Sequence, residues 1–293
     1  MRHTRLLSLL AATALTTPAF AQEAAQPEET FSVAQNTSVA AQDYMVAAAN
    51  PLAAEAGRAV LAAGGSAADA AVAVQFMLNL VEPQSSGIGG GAFALYWDAS
   101  AGELTTLDGR ERAPLDATPE YWLGEDGEPI GFWEALVGGR SVGVPGTLKL
   151  LEDLHDSHGR TPWADLLQPT IDRAEAGFAI SPRMAESIEG AMERSLADFP
   201  ATRGYFFRPD GTPKKAGTLL KNPAFARTLR LIASEGSDPF YHGAIAGDIV
   251  AAVKTETNAG ILTLQDLAEY EVKQREPVCV EYRSYEVCGM GPP

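Results

Sequence analysis

The sequence predicts a mixed helix-and-strand chain, α/β in the broad sense and α+β in detail. Three observations carry this. Helical spacing with clear start and stop signals recurs along the chain. Two short pairs of strand-like runs are joined by tight turns. Gly and Pro clusters separate the segments, and no internal repeat is present. The chain has 293 residues, 46% of them hydrophobic, with 28 Gly and 19 Pro. That length and apolar fraction are enough to bury a core and exclude wholesale disorder.

The first helix is expected after Asn50-Pro51, an N-cap followed by Pro at the first helical position, and it stops at Gly64-Gly65. Ser66 and Asp69 then form a capping-box start with Asp in place of Glu, opening a helix to about Val81. That helix, AADAAVAVQFMLNLV, is apolar on nearly every face and so is expected in the interior. Glu82-Pro83 ends it. Residues 92–97 and 103–108 read as a hairpin across the turn 99–102, with Gly109-Arg110-Glu111-Arg112 at its end. Residues 118–133 read as a surface excursion. Helices follow at 147–157, 163–176, 183–197, 222–234, 243–255 and 264–270. The tail from Val278 to Val287 alternates like a second hairpin.

The first 21 residues read as an export signal. Arg2, His3 and Arg5 precede a short apolar run, and Ala19-Phe20-Ala21 is an A-x-A cleavage site. Residues 22–42 are polar and Ala/Gln-rich, the composition of a flexible tether. Residues 43–293 would form the folded part, in a periplasmic or secreted setting. No other segment has the roughly 18 uninterrupted apolar residues of a membrane span. The 22 Lys+Arg against 38 Asp+Glu give a net charge of −16. Such a surface repels phosphate backbones, so no nucleic-acid partner is expected. The chain stops soon after the tail hairpin, and a hairpin edge with nothing to cover it suggests a fragment.

Several patterns compete for chemistry. Gly139-Arg140-Ser141-Val142-Gly143 matches G-x-S-x-G. A nucleophile elbow, however, needs a strand before the serine and a helix after it, and Pro145 opposes the helix. Gly87 to Gly91 lacks the Lys-Ser/Thr ending of a phosphate loop and follows a helix, so close backbone packing is expected instead. His155 and His158 share a helix face, but no third ligand is suggested by spacing; a solvated helix end is expected, and no metal or cofactor. Cys279 and Cys288 fall opposite each other if Arg283-Ser284 is a two-residue turn, which allows a cross-strand disulfide. The same register sets Glu281 against Glu286, so two free thiols remain the alternative. Arg110 sits at a strand end, a rigid place from which a planar guanidinium can grip a carboxylate with both arms, with Glu111 beside it to hold it in place; read from the residues alone, a plain surface ion pair is the stronger alternative.

The order of these segments resembles the γ-glutamyltransferase (glutathione hydrolase) family. The resemblance rests on GGSAADAAVAV within 53–81, then EPQSSGIGGG at 82–91, DGRERAP at 108–114, and VGVPG at 142–146. It continues through LQP at 167–169 with AEAGF at 174–178, FYHG at 240–243, LQDLAEY at 264–270 and YRSY at 282–285, running into Pro292-Pro293. It implies an N-terminal-nucleophile hydrolase, part of a four-layer αββα sandwich that is incomplete in this chain. In that family a precursor cuts itself into a large and a small subunit and exposes a threonine nucleophile. The threonine takes the γ-glutamyl group from glutathione or a related compound and passes it to water, an amino acid or a dipeptide. By the same resemblance Arg110 would bind the α-carboxylate of the γ-glutamyl group, and the small subunit would be a partner. The family's T-x-H nucleophile region would lie downstream of Pro293, so no catalytic residue is assigned within this chain, which alone is expected to be inactive. Three readings compete: a glutaryl-type β-lactam acylase of the same superfamily, a non-catalytic exported module, and a serine esterase using Ser141.

Overall fold

A computed structural model of the chain describes residues 38–192 and 195–293. The export signal and most of the tether lie outside the described residues. In chain order the elements are α1 (Pro51–Ala62), α2 (Ala67–Val81), β1 (Ala92–Asp98), β2 (Glu103–Gly109), α3 (Phe132–Leu136), α4 (Thr147–His158) and α5 (Trp163–Ala176). Then come β3 (Phe178–Ala179), α6 (Pro182–Ala191), α7 (Pro200–Phe206), β4 (Leu219–Leu220), α8 (Pro223–Glu235), α9 (Asp238–Tyr241) and α10 (Ala244–Ala252). The last four are α11 (Leu264–Ala268), β5 (Lys273–Arg275), β6 (Val278–Tyr282) and β7 (Tyr285–Gly289). All strand pairs are antiparallel, which places the chain in the α+β class.

The helix starts follow their sequence signals. The Asn50 side chain accepts from the Leu52 N–H at 3.0 Å, and Ser66 and Asp69 form the full capping box. Helix α2 lies in the middle of the helical layer and packs on α1, α4 and α5, while α8 packs on α5. Val72, Phe76 and Leu80 of α2 are buried together with Leu148, Leu151, Leu167, Ile171, Leu229 and Ile232. Gly57 allows α1 to come close, because a Cβ there would meet Val74 Cγ2 at 2.5 Å.

Three strands form the main sheet in the order β1-β2-β5. β1 pairs with β2 from Ala92↔Gly109 to Asp98↔Glu103, and β5 joins at Thr106↔Arg275, Leu107↔Gln274 and Asp108↔Lys273. Helix α4 packs on the β1–β2 pair. The central strand β2 therefore carries buried polar residues, Thr106 and Asp108, in a place where side chains from other elements can satisfy them.

The expected 183–197 helix is shorter in the structure. It ends at Ala191, and Ser195 takes a left-handed backbone (φ 67°) that no helix continues through. Strands β3 and β4 have two residues each and β5 has three, too few for alternation to mark them in sequence. The tail hairpin has the expected register, with Cys279↔Cys288, Glu281↔Glu286 and Tyr282↔Tyr285. The disulfide alternative holds: Cys279 and Cys288 are bonded, with their Cα atoms 4.1 Å apart. The like-charged glutamate pair is tolerated because both side chains are exposed and solvated.

Candidate active-site cleft

The site is built where β2 ends. Gly109 is the last residue of the ladder, and a Cβ there would strike the Leu150 side chain of α4 at 2.6 Å. The chain leaves the sheet at Arg110, whose backbone groups no longer have ladder partners. Side chains supply them instead. The Arg110 N–H donates to Asp108 Oδ1 at 3.0 Å, and the Tyr270 hydroxyl donates to the Arg110 carbonyl at 2.8 Å. Asp108 is itself buried and anchored, its Oδ2 accepting from Arg275 Nε of β5 at 2.6 Å. Burial, with the charges of Asp108 and Glu111 behind it, pushes the Tyr270 phenol up to about 12, so it stays a donor at any physiological pH.

The Arg110 side chain is half exposed at 48%. Its Nε lies 3.1 Å from Glu111 Oε2, and its guanidinium lies 5.6 Å from the centre of the Phe93 ring on β1. Among the described residues neither Nη nitrogen is hydrogen-bonded. Glu111 and Phe93 thus hold one edge and one face of the plane, and the two-nitrogen edge that suits a carboxylate stays open. The brace expected of Glu111 is present. Gly91 makes it possible: a Cβ there would sit 2.5 Å from Glu111 Oε2 and 2.8 Å from the Arg110 Cα. The close packing expected of the 87–91 glycine run is found at its end, at Gly91, whereas a Cβ at Gly89 would meet nothing within 4 Å.

Arg112 does different work. Its Nη1 and Nη2 donate to the carbonyls of Glu269 and Asp266, both at 3.1 Å, and so tie down the end of α11. Its backbone bridges to Val144 in both directions, at 3.2 and 2.8 Å. Asp266 accepts from the Leu115 N–H at 2.6 Å and caps α11. Burial opposes its charge, but the N–H groups of Leu115 and Thr263, the Thr263 hydroxyl and the Arg112 charge together hold its carboxyl below the usual range.

Arg110, Glu111, Arg112 and Ala113 form one wall of a cleft of about 420 Å³, and Gly89, Ser141, Val142 and Gly143 form the rest. Ser141 is therefore near the arginine, a proximity that its sequence position did not announce. It lies in a 3₁₀ turn (Gly139–Ser141) and follows neither strand nor helix start. Its hydroxyl is 2.7 Å from the Leu136 carbonyl and 3.3 Å from that of Gly138, with no imidazole partner among the described residues. This is a turn serine, not a nucleophile elbow.

The histidines correct one expectation. His155 is largely buried, its Nε2 2.8 Å from the Thr161 carbonyl and its ring 5.3 Å from that of Trp163, so it is a packing residue and not a solvated one. His158 stacks on Tyr96 at 3.9 Å. Among the described residues the cluster with three potential metal-ligand groups is Cys279, Glu286 and Cys288, and both sulfurs are spent in the disulfide.

A helix layer packed on an antiparallel sheet, with the Arg110 turn at the end of its central strand, is the partial core of an N-terminal-nucleophile hydrolase fold. It aligns with the crystal structure of Helicobacter pylori gamma-glutamyltranspeptidase at a TM-score of 0.82 and 38% identity, covering 88% of this chain and 72% of that one. The family model described as Gamma-glutamyltranspeptidase matches residues 53–293, and the chain belongs to that family. It is 40% identical over 274 residues to the glutathione hydrolase proenzyme of Bacillus subtilis, a match spanning 94% of this chain and 46% of that protein. The chain thus spans about half the length of the curated relatives it matches. A cephalosporin acylase from Bacillus halodurans shares the fold at a TM-score of 0.69 and 32% identity, with coverage of 87% and 48%.

Proposed function

We propose that this chain is the large-subunit part of an exported γ-glutamyltransferase precursor and that Arg110 grips the α-carboxylate of a γ-glutamyl substrate. The observation that carries this reading is the open Nη edge of Arg110, fixed on a braced turn at the mouth of a cleft. The substrate would be glutathione or another γ-glutamyl amide. A threonine from the second half of the precursor would attack the γ-carbonyl carbon, the amide C–N bond would break, and the amine would leave. Water, an amino acid or a dipeptide would then take the γ-glutamyl group from the threonine ester. The chain's own part is to fix the far end of the substrate, so that the γ-carbonyl lies at a defined distance from the attacking hydroxyl. Residues 1–21 would direct export and residues 22–42 would tether the folded part. Among the described residues no helix is long and apolar enough to cross a membrane.

The test uses the full precursor and a γ-glutamyl anilide that releases a chromophore. Arg110→Ala should raise KM by about 30-fold or more, the loss of a bidentate charged contact worth about 2 kcal/mol, with a smaller change in kcat. An unchanged KM would remove Arg110 from the substrate site. The likeness to a cephalosporin acylase favours a second reading, in which the acyl group is glutaryl. A glutaryl anilide keeps the terminal carboxylate but lacks the α-ammonium, so faster turnover of it than of the γ-glutamyl anilide would select the acylase.

A further inference from the structure

Arg110 is the only residue of the turn with both backbone groups claimed by side chains, and the two claimants come from different places. Asp108 is two residues away and part of the sheet. Tyr270 is 160 residues downstream, just after α11. From the geometry we infer that Tyr270 is a positioning residue for substrate binding: its hydroxyl fixes the Arg110 peptide plane and thereby the direction of the guanidinium. This rests on the reading of Arg110 as the carboxylate grip.

The surroundings of Tyr270 support the role. Its ring is buried and stacks on Tyr241, with centroids 5.9 Å apart and planes 14° apart. Its tip fills the space over Gly146, where a Cβ would collide with the Tyr270 hydroxyl and with the Gly109 carbonyl. Arg112 holds the carbonyls of Asp266 and Glu269 directly before it. The ring thus has fixed packing and a fixed backbone, and its one polar atom points at the arginine that the site uses. Rotation of the Arg110 peptide would swing the guanidinium away from Phe93 and Glu111, so the hydroxyl acts on binding geometry and not on the chemical step. Tyr241 makes a useful contrast: its hydroxyl donates to the Pro145 carbonyl at 3.0 Å and does not touch the turn.

The experiment compares Tyr270→Phe, Tyr241→Phe and Arg110→Ala in the full precursor, singly and with Tyr270→Phe combined with Arg110→Ala. Tyr270→Phe removes one hydroxyl and leaves the packing. It should raise KM for a γ-glutamyl anilide about five-fold, the effect of one neutral hydrogen bond, with kcat within two-fold. The rise should vanish when Arg110 is already Ala, because there is then no guanidinium to aim. Tyr241→Phe should lower Tm, through the lost bond to the Pro145 carbonyl, and leave KM at the parent value. An unchanged KM in Tyr270→Phe, or an equal rise with and without Arg110, overturns the inference. An unchanged KM in Arg110→Ala overturns the underlying reading instead, and the two failures are told apart by which single variant is silent. Should Tyr270→Phe not mature, Arg112→Lys loosens the same segment by removing one of its two carbonyl contacts. The same Arg110-dependent rise in KM is then expected, and a rise independent of Arg110 overturns the inference.

Discussion

The start of α2 and the turn after β2 use the same materials to opposite ends. At the start of α2, Asp69 is fully buried and accepts from the N–H groups of Ser66, Arg160 and Thr161 at 2.8 to 3.1 Å. Both carboxylate oxygens are bonded to backbone N–H groups, and the carboxylate is sealed from solvent. At the turn, Asp108 is spent in the same way, on Arg275 and the Arg110 backbone, but it leaves the Arg110 guanidinium with one edge unspent. Arg112, two residues on, has both Nη nitrogens committed to the carbonyls of Asp266 and Glu269 at the end of α11, while its buried Nε has no partner among the described residues. The comparison teaches that a charged side chain points to function when its supports are rigid and its unused hydrogen-bonding edge is open to solvent. Burial and commitment to the protein's own backbone point to stability.

Substitutions can break or sharpen that contrast. The largest stability loss is expected for Asp69→Ala, which strands the buried Ser66 N–H and the half-buried N–H groups of Arg160 and Thr161: about 3 kcal/mol in urea or thermal unfolding. A loss under about 1 kcal/mol would mean that water replaces the carboxylate and that the α2 start is not the closed structural site described. Gly146→Ala should come next, at about 2 kcal/mol, because the new methyl forces Tyr270 and the Gly109 carbonyl apart. It should also raise KM, since the Tyr270 contact to Arg110 is disturbed. A neutral outcome in both readouts would show that the turn is loosely held.

The pH dependence gives a third comparison. Burial alone would raise the Asp69 carboxyl, but the Ser66, Arg160 and Thr161 donors hold it below its ordinary value. A carboxyl depressed on folding contributes stability that is fully present above its unfolded pKa, near 3.9. That stability fades as pH falls through the lower folded value. The parent should therefore lose stability in acid below about pH 4 more steeply than Asp69→Asn does. Parallel pH profiles would remove Asp69 as the acid-sensitive group. The smallest stability effect is expected for Arg110→Ala, under about 0.5 kcal/mol, since its pairing with Glu111 is exposed and its ring contact is partly solvated. A loss as large as that of Asp69→Ala would make Arg110 a structural residue and end the contrast.

Much of this was legible in the chain itself. Asn50-Pro51, Ser66 with Asp69, and Thr263 with Asp266 announce helix starts because capping is chemistry between neighbours three residues apart or fewer. The two hairpins were legible for the same reason, down to the pairing of Cys279 with Cys288, since a short turn fixes the register. Arg110 could be singled out by residue type, strand-end position and motif order. Tertiary structure alone decided the rest. No local pattern states that Tyr270 reaches the Arg110 carbonyl, that Arg275 anchors Asp108, or that Ser141 shares the cleft. No local pattern separates Arg110 from Arg112 either, two arginines in one RER triplet with opposite fates. Each of those meetings joins segments roughly 30 to 170 residues apart, and they are set by how α4 and β5 pack on β2 and how Arg112 ties down the end of α11.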